Sequence, residues 1–416
     1  MSKNARDKRP YIRPVTKLEL SEKNIRFRWI AIVVLLAIAT VSIGYGFYSA
    51  LSTQPGWQEV TVQPEAVNCS GDFVLMYDFG TGDINPTAAY KKLELLYSDL
   101  TEEGYRLFHG EAEGEVNLYH INKNPNEAVT VAPALYTALE QIVESGNRHV
   151  FMGPVLELYN SVFLSATDAE AENFDPMKNP ERGALARETA SYCASEEMVA
   201  LELLGENTVR LKVAQEYLRY AETYGIEAYL DLGWMTNAFI ADYIAQALEA
   251  EGFTSGYLAS YDGFTRNLYG RTTFFSQNIY HCVENDIYLP ASLEYYGPMS
   301  IVALRAYPLS ERDRWHYYAY GDGSITSVYL DPADGMTRTS IDGFTAYSRE
   351  ASCAEIVLKV APVFTAEIFD AYSLEILARQ GIQSVRCVGN QLVCTEGAAP
   401  FEILDQNYSI TVSNAE

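Results

Sequence analysis

The sequence predicts an α+β ectodomain of mixed sheets and helices, carried behind one N-terminal transmembrane helix. Three observations predict it. An uncharged run of 23 residues, Trp29 to Leu51, follows a basic segment. Strand-like and helix-like stretches then mix without a regular βα alternation, and short strands with hairpin spacing gather late, from Phe253 onward.

The uncharged run is long enough to cross a bilayer. As a helix it would span about 35 Å at roughly 1.5 Å per residue, against a hydrocarbon core of about 30 Å. Residues 1–28 hold nine Lys or Arg and three acids, so the positive-inside rule leaves them in the cytoplasm. Trp29, Tyr45 and Tyr48 suit the two interfaces. A cleaved signal peptide has a shorter basic region and a shorter apolar core. The expectation is therefore a single-pass membrane protein: cytoplasmic tail 1–28, helix 29–51, stalk 52–70 and an extracytoplasmic domain 71–416.

The remainder is acidic, with 21 bases and 52 acids in residues 29–416, a net of −31. Such a surface repels nucleic acid and anionic lipid, which removes both as partners of the large domain. Six cysteines follow the run: Cys69, Cys193, Cys282, Cys353, Cys387 and Cys394. None has zinc-site spacing. Cys387 and Cys394 flank Asn390-Gln391 symmetrically, either as a disulfide across a hairpin or as two buried thiols in adjacent strands.

The elements follow in order. Phe73 to Tyr77 reads as a strand. Asn85-Pro86 starts a helix running to about Thr101, and Pro133 to Ser145 forms another, with Leu135, Leu139 and Ile142 on one face. Residues 165–185 are polar and acidic, with Pro176 and Pro180, and read as a loop or short insertion. Residues 212–224 look helical, and Tyr229 to Gly233 reads as a strand ending in a Gly turn. Ala238 to Glu251 is helical, closed by Gly252. Helices near Cys353–Val363 and Ala366–Gln380 interrupt the late strands.

The most informative stretch is Asp231-Leu232-Gly233-Trp234-Met235-Thr236-Asn237-Ala238-Phe239-Ile240-Ala241-Asp242, then a helix, Gly252, a strand and Asp262-Gly263. It resembles the FAD:protein FMN transferase (ApbE-type) family, which reads Asp-Leu-Gly-Gly-Ile-Ala-Lys-Gly-Tyr-Ala-Val-Asp at the same spacing. Gly80-Thr81, Asn122 to Phe163 with Gly153-Pro154, Val328-Tyr329-Leu330-Asp331-Pro332-Ala333-Asp334-Gly335 and Ala354-Glu355-Ile356-Val357-Leu358-Lys359 resemble further family segments in the same order. The resemblance spans about Phe73 to Gly397. It implies a flavin-transferase, T-fold-related architecture outside the cytoplasm. It also implies FAD and Mg²⁺ as cofactors, and a Thr- or Ser-bearing acceptor protein, or another membrane or surface protein, as partner.

The resemblance places the cofactor-binding positions at Gly80, Thr81, Asp231, Gly233, Trp234, Asp262, Gly263 and Asp331. Asn237 and Lys359 hold the catalytic positions, and Glu355 a metal position. Several depart from the family. Asn237 stands for a phosphate-pairing Lys, and Trp234 for a Gly whose smallness admits the ligand. Asp262 stands for the first Gly of a Gly-Gly turn, and Val328 for a His. Arg148-His149-Val150-Phe151 occupies the place of Phe-Asp-Pro-Thr. Glu355 keeps an oxygen ligand for Mg²⁺, but Lys359 replaces the second ligand, a Thr. Either the ammonium takes the space of a cation, or Glu355 and Lys359 form an ordinary i,i+4 surface pair.

The implied function is a degenerate relative, a pseudoenzyme serving as a flavin-, nucleotide- or partner-binding module. The alternative is an active transferase moving FMN from FAD to an acceptor with a rebuilt cation site. A third reading is a cell-wall or glycan-binding module. Asp231, Asp242 and Asp331 also have structural readings, as turn caps or partners of a neighbouring helix. His281 beside Cys282 suggests a nucleophile, with no third partner evident.

Overall fold

The computed structural model describes residues 30, 33–36, 38–43, 53–63, 69–80, 85–270 and 274–413. Residues 1–53 and 54–416 are separate compact units. In the first, the described residues of the expected anchor are helical and exposed. Among the described residues no helix is long and apolar enough to cross a membrane. The rest of the 29–51 span and the 1–28 tail lie outside them.

The second unit is α+β, as expected. Nine strands form its main sheet: β1 (Gly56–Val60), β2 (Phe73–Phe79), β6 (Gly256–Ser260), β7 (Phe264–Asn267), β10 (Met299–Arg305), β13 (Gly343–Ser348), β14 (Gln383–Val388), β15 (Gln391–Cys394) and β17 (Ser409–Val412), neighbouring in that order. All pairings are antiparallel except β15 with β17. A three-stranded sheet orders β16 (Phe401–Ile403), β9 (Asp286–Tyr296) and β8 (Phe274–Val283). A second three-stranded sheet orders β3 (Ala128–Thr130), β5 (Thr208–Val213) and β4 (Val199–Gly205), and β11 (Tyr317–Ala319) pairs with β12 (Ile325–Ser327).

The two faces of the main sheet bury different sets of residues, because side chains alternate along a strand. Leu258, Phe264, Val302, Leu304, Phe344 and Ala346 join the core built by the helices Pro86–Phe108, Thr236–Ala250 and Cys353–Phe364. Met299, Ile301, Tyr347, Val385, Leu392 and Cys394 join Ile279, Ala291 and Leu293 of the β8–β9 hairpin in a second core. Five of the seven β10 residues are apolar, and six of its seven are buried, which fits a strand covered on both faces.

Several expectations need correction. Residues 56–60, read within a stalk, pair with β2 as the outer strand of the main sheet. Residues 165–185 hold two helices, Asp168–Phe174 and Pro180–Ala194. Thr167 and Asn179 cap them, and Pro180 sits in the first turn, where a missing N–H costs nothing. Residues 212–224 divide into the end of β5 and the helix Gln215–Tyr224, and the 366–380 helix begins only at Ala371. The first helix starts at Pro86 under the Asn85 cap and continues to Phe108.

Cys387 and Cys394 lie on adjacent strands as free thiols, so the disulfide reading falls. The turn is Gly389-Asn390, one residue earlier than the symmetric centre, and it pairs Cys387 with Leu392 and Cys394 with Val385. The two thiols are therefore diagonal neighbours, roughly 7–8 Å apart at the backbone. Burial pushes the Cys387 thiol up to about 12.

Candidate functional site

Tyr229 to Gly233 is not a strand. Its backbone groups are met by a side chain and a loop. Asn122 accepts from the amides of Tyr229 and Leu230 (3.0 and 2.9 Å) and donates to the Leu230 carbonyl (2.8 Å). The Asp231 amide donates to Val150 O at 2.7 Å. Asp231 Oδ1 then accepts from Gly233 N at 3.0 Å, and Gly233, at φ +54°, turns the chain into the short helix Gly233–Met235. A Cβ on Gly153 would lie 2.7 Å from Asp231 Cβ, so Gly153 is what lets this carboxylate fit. Asp231 acts as a turn cap, its carboxyl pushed up by burial.

Trp234 leaves this turn and packs edge-on between two rings, 4.9 Å from Tyr329 and 6.3 Å from His149. Its indole fills the space that a Gly would leave open. His149 is buried, with Nε2 at 2.8 Å from Thr365 Oγ1 and Nδ1 at 3.0 Å from Asn147 Oδ1. Burial drives its pKa down to about 3. Tyr329 is held by Tyr317, hydroxyl to hydroxyl at 3.2 Å, and Tyr317 donates to Arg305 O at 2.8 Å.

In the first turn of the helix Thr236–Ala250, Asn237 donates to Asp262 Oδ2 at 2.9 Å. The two departures from the family pattern, Lys to Asn and Gly to Asp, thus meet each other. Asp262 Oδ1 is buried without a hydrogen-bond partner. Burial pushes the Asp262 carboxyl up, opposed by His316, Ser260 and Asn237. Desolvation and Asp262 raise the Asp72 carboxyl, and His316 and Asn237 lower it. Asn237 and Asp262 are thus bonded beside the Trp234 turn, and Asp72, exposed at the edge, and His316 act electrostatically on the same cluster.

Other expected site residues are placed elsewhere. Asp242 and Arg266 form an ion pair at 3.4 Å. Asp242 also accepts from the amides of Cys353 (3.1 Å) and Ala354 (2.7 Å), so it ties its helix to the start of Cys353–Phe364. Asp331 takes Ala333 N at 2.9 Å and pairs with Arg338 at 3.2 Å, a turn role. Glu355 and Lys359 pair at 2.8 Å on one helix face, both about one-third exposed, which is the ordinary i,i+4 geometry. Gly80, at φ +92°, is tight against Pro55, at the end of β2 next to β1. Thr81 lies outside the described residues. Gly263, at φ +109°, cannot carry a Cβ, which would lie 2.2 Å from Ala303 O. His281 bonds Tyr408 at 2.8 Å rather than activating Cys282.

The sequence did not point to Asp72 or His316 as cluster members, and although His149 and Tyr329 lie in motif segments, nothing there set them against Trp234. Arg148, beside His149, is turned away onto the carbonyls of Cys193 (2.6 Å) and Val199 (3.0 Å). No local spacing links these residues, since the cluster joins segments up to about 260 positions apart. Among the described residues, no group of three or more His, Cys, Asp or Glu could hold a metal ion.

The sequence matches no protein-family profile and no curated protein. Solved structures do match. The ApbE protein from Thermotoga maritima superposes with a TM-score of 0.54 at 14% identity, over 84% of this chain and 97% of that one. The flavin transferase ApbE from Vibrio cholerae gives 0.51 at 14% identity, over 84% and 96%. A mutant of the same transferase gives 0.50 at 16% identity, over 80% and 93%. This chain therefore has the ApbE-type flavin-transferase fold, in a divergent sequence. At such identities the likeness carries fold and not activity.

Proposed function

We propose that this chain is a non-transferring relative of the flavin transferases, a binding module held at the outer membrane face by the 29–51 helix. The Asn237–Asp262 hydrogen bond carries the reading, because it uses the position of the phosphate-pairing Lys to hold a carboxylate instead. FAD and Mg²⁺ do not fit the residues present. The Trp234 indole occupies the ligand's approach, packed on Tyr329 and His149. Asp262 adds an acceptor where a pyrophosphate needs donors. Lys359 is a donor in place of an oxygen ligand, and its charge is already met by Glu355. A protein or ligand group that donates hydrogen bonds suits the Asp72–Asp262 pair better than an anion does.

The full chain in detergent micelles is mixed with FAD and a Thr-bearing acceptor, with and without Mg²⁺. Flavin fluorescence reports binding, and covalent flavin on the acceptor reports transfer. No Mg²⁺-dependent transfer is expected, and any such transfer overturns the proposal. If transfer occurred, Lys359→Ala would separate a rebuilt cation site, which it should abolish, from an unrelated mechanism.

A further inference from the structure

On the face of the main sheet turned to β8, a cavity of about 220 Å³ lies between β6, β7, β10, β13 and β8. Small residues make the room. Ala259, Gly263, Ala303 and Gly343 border it from the sheet, where alternation points their neighbours Leu258, Phe264, Leu304 and Phe344 into the helical core. This cavity is on the other side of the sheet from the Asp231 loop and its helix.

Its chemistry is unlike the rest of the molecule. The chain carries 55 acids and a net charge of −25. Yet among the described residues no Asp or Glu lines the cavity. Arg305 does, at 9% exposure, and its Nε is buried with no hydrogen-bond partner. Its ion pair with Asp313 is long, at 3.5 Å, whereas a charge-assisted bond is about 2.7–2.9 Å. Asp313 cannot easily come closer, because its Oδ2 already accepts from Leu309 N (2.7 Å) and Ser310 N (2.8 Å). Tyr307 and Tyr261 give aromatic walls, and the Arg312 guanidinium lies 4.0 Å over the Tyr261 ring. Arg386 belongs to the opposite face, over Phe369 at 4.7 Å.

A buried guanidinium that meets Asp313 only at 3.5 Å keeps its Nε–H donor without an acceptor, in a pocket whose described lining holds no acid. We propose that the cavity binds a small organic oxyanion, a carboxylate or phosphate ester with an apolar body, through Arg305. The volume is below the roughly 300–1,000 Å³ of drug-sized sites, so the body is no larger than about one ring. The proposal stands apart from the flavin question, since it uses neither Asn237 nor Trp234.

Calorimetric titration of the full chain in detergent micelles tests it, with benzoate, phenyl phosphate and the neutral benzyl alcohol as probes. At least one anion should saturate with a Kd of about 1 mM or tighter, and benzyl alcohol should bind at least roughly tenfold more weakly. The order of the two anions then tells carboxylate from phosphate ester. Ala303→Leu fills the cavity and leaves Arg305 in place, so saturable binding should disappear while cooperative melting persists. Should that variant fail to fold, Arg305→Lys decides, because it keeps the charge and loses the planar fork. It should weaken the anion roughly tenfold. The proposal is overturned by no saturation with either anion, by equal binding of benzyl alcohol, by binding that survives Ala303→Leu, or by unchanged affinity in Arg305→Lys.

Discussion

Asp262 and Arg305 are both largely withdrawn from water, and each keeps one polar atom without a partner, Oδ1 in the first and Nε in the second. Their surroundings differ. Asp262 sits among Asn237, Asp72 and His316, beside an indole packed on two rings. Arg305 borders an acid-free cavity walled by tyrosines. The turn between β6 and β7 separates the two regions, since Tyr261 and Gly263 line the cavity while Asp262 between them meets Asn237. The first region is filled by its own Trp234 side chain and offers acceptors at its edge. The second has been left open and offers a donor. In a fold shared with solved flavin transferases, the cavity proposed for an anion lies on the other side of the sheet from Asn237 and Trp234, with Gly263 of the motif positions in its lining.

The largest effect should come from the turn the two regions share. Gly263→Ala puts a Cβ at 2.2 Å from Ala303 O in a left-handed conformation. Both are unfavourable, and a loss of about 3 kcal/mol or more is expected, seen as a large drop in the denaturant midpoint. A variant as stable as the parent would show that the close approach of β7 and β10 is not as described.

The first region should be pH-sensitive through His149. Its pKa falls from 6.5 to about 3 on burial. Between those values the unfolded chain binds a proton that the folded chain refuses, so stability drops as pH falls through that window. The slope from this group approaches about 1.4 kcal/mol per pH unit. Asp231 and Asp242, whose carboxyls burial raises, act with the opposite sign near the acid end. Thermal melting of wild type and His149→Gln at pH 7, 5 and 4 isolates the histidine. The wild type should lose more stability than the variant on acidification, and parallel curves would sink the assignment.

Asn237→Leu removes the bond to Asp262 Oδ2 and leaves that carboxyl without the amide on either oxygen. A cost of about 1–3 kcal/mol is expected in urea unfolding. Asn237→Lys should behave differently, since an ammonium can meet the carboxylate. A Leu variant of wild-type stability would mean that the cluster is solvated rather than closed.

The smallest effect belongs to Lys359. Its pair with Glu355 is about one-third exposed, so Lys359→Ala should cost no more than about 0.5 kcal/mol. A loss several times larger would give this pair a role beyond the helix surface.

Features set by neighbours in sequence were legible beforehand. The helix Pro133–Ser145 was legible, because its apolar face of Leu135, Leu139 and Ile142 is a local pattern. The turn role of Asp331 and the Glu355–Lys359 pair were legible for the same reason. The order of motif segments was enough to expect the flavin-transferase fold, which the solved structures share. The helices at 168–174 and 180–194 were missed because their polar caps and acidic residues obscure a weak apolar period. The apolar Tyr229–Leu232 segment imitated a strand, but its hydrogen bonds go to Asn122 and Val150.

By itself, then, the sequence determined the α+β class, several of the helices, the segment order and the positions where family residues are replaced. These depend on periodicity, capping and spacing, which act over a few residues. It did not determine that Asn237 would answer Asp262, that Trp234 would lie between His149 and Tyr329, or that Arg305 would line a cavity without acids. Those are contacts between distant segments, and only the packed sheet and helices bring them within hydrogen-bonding or van der Waals reach.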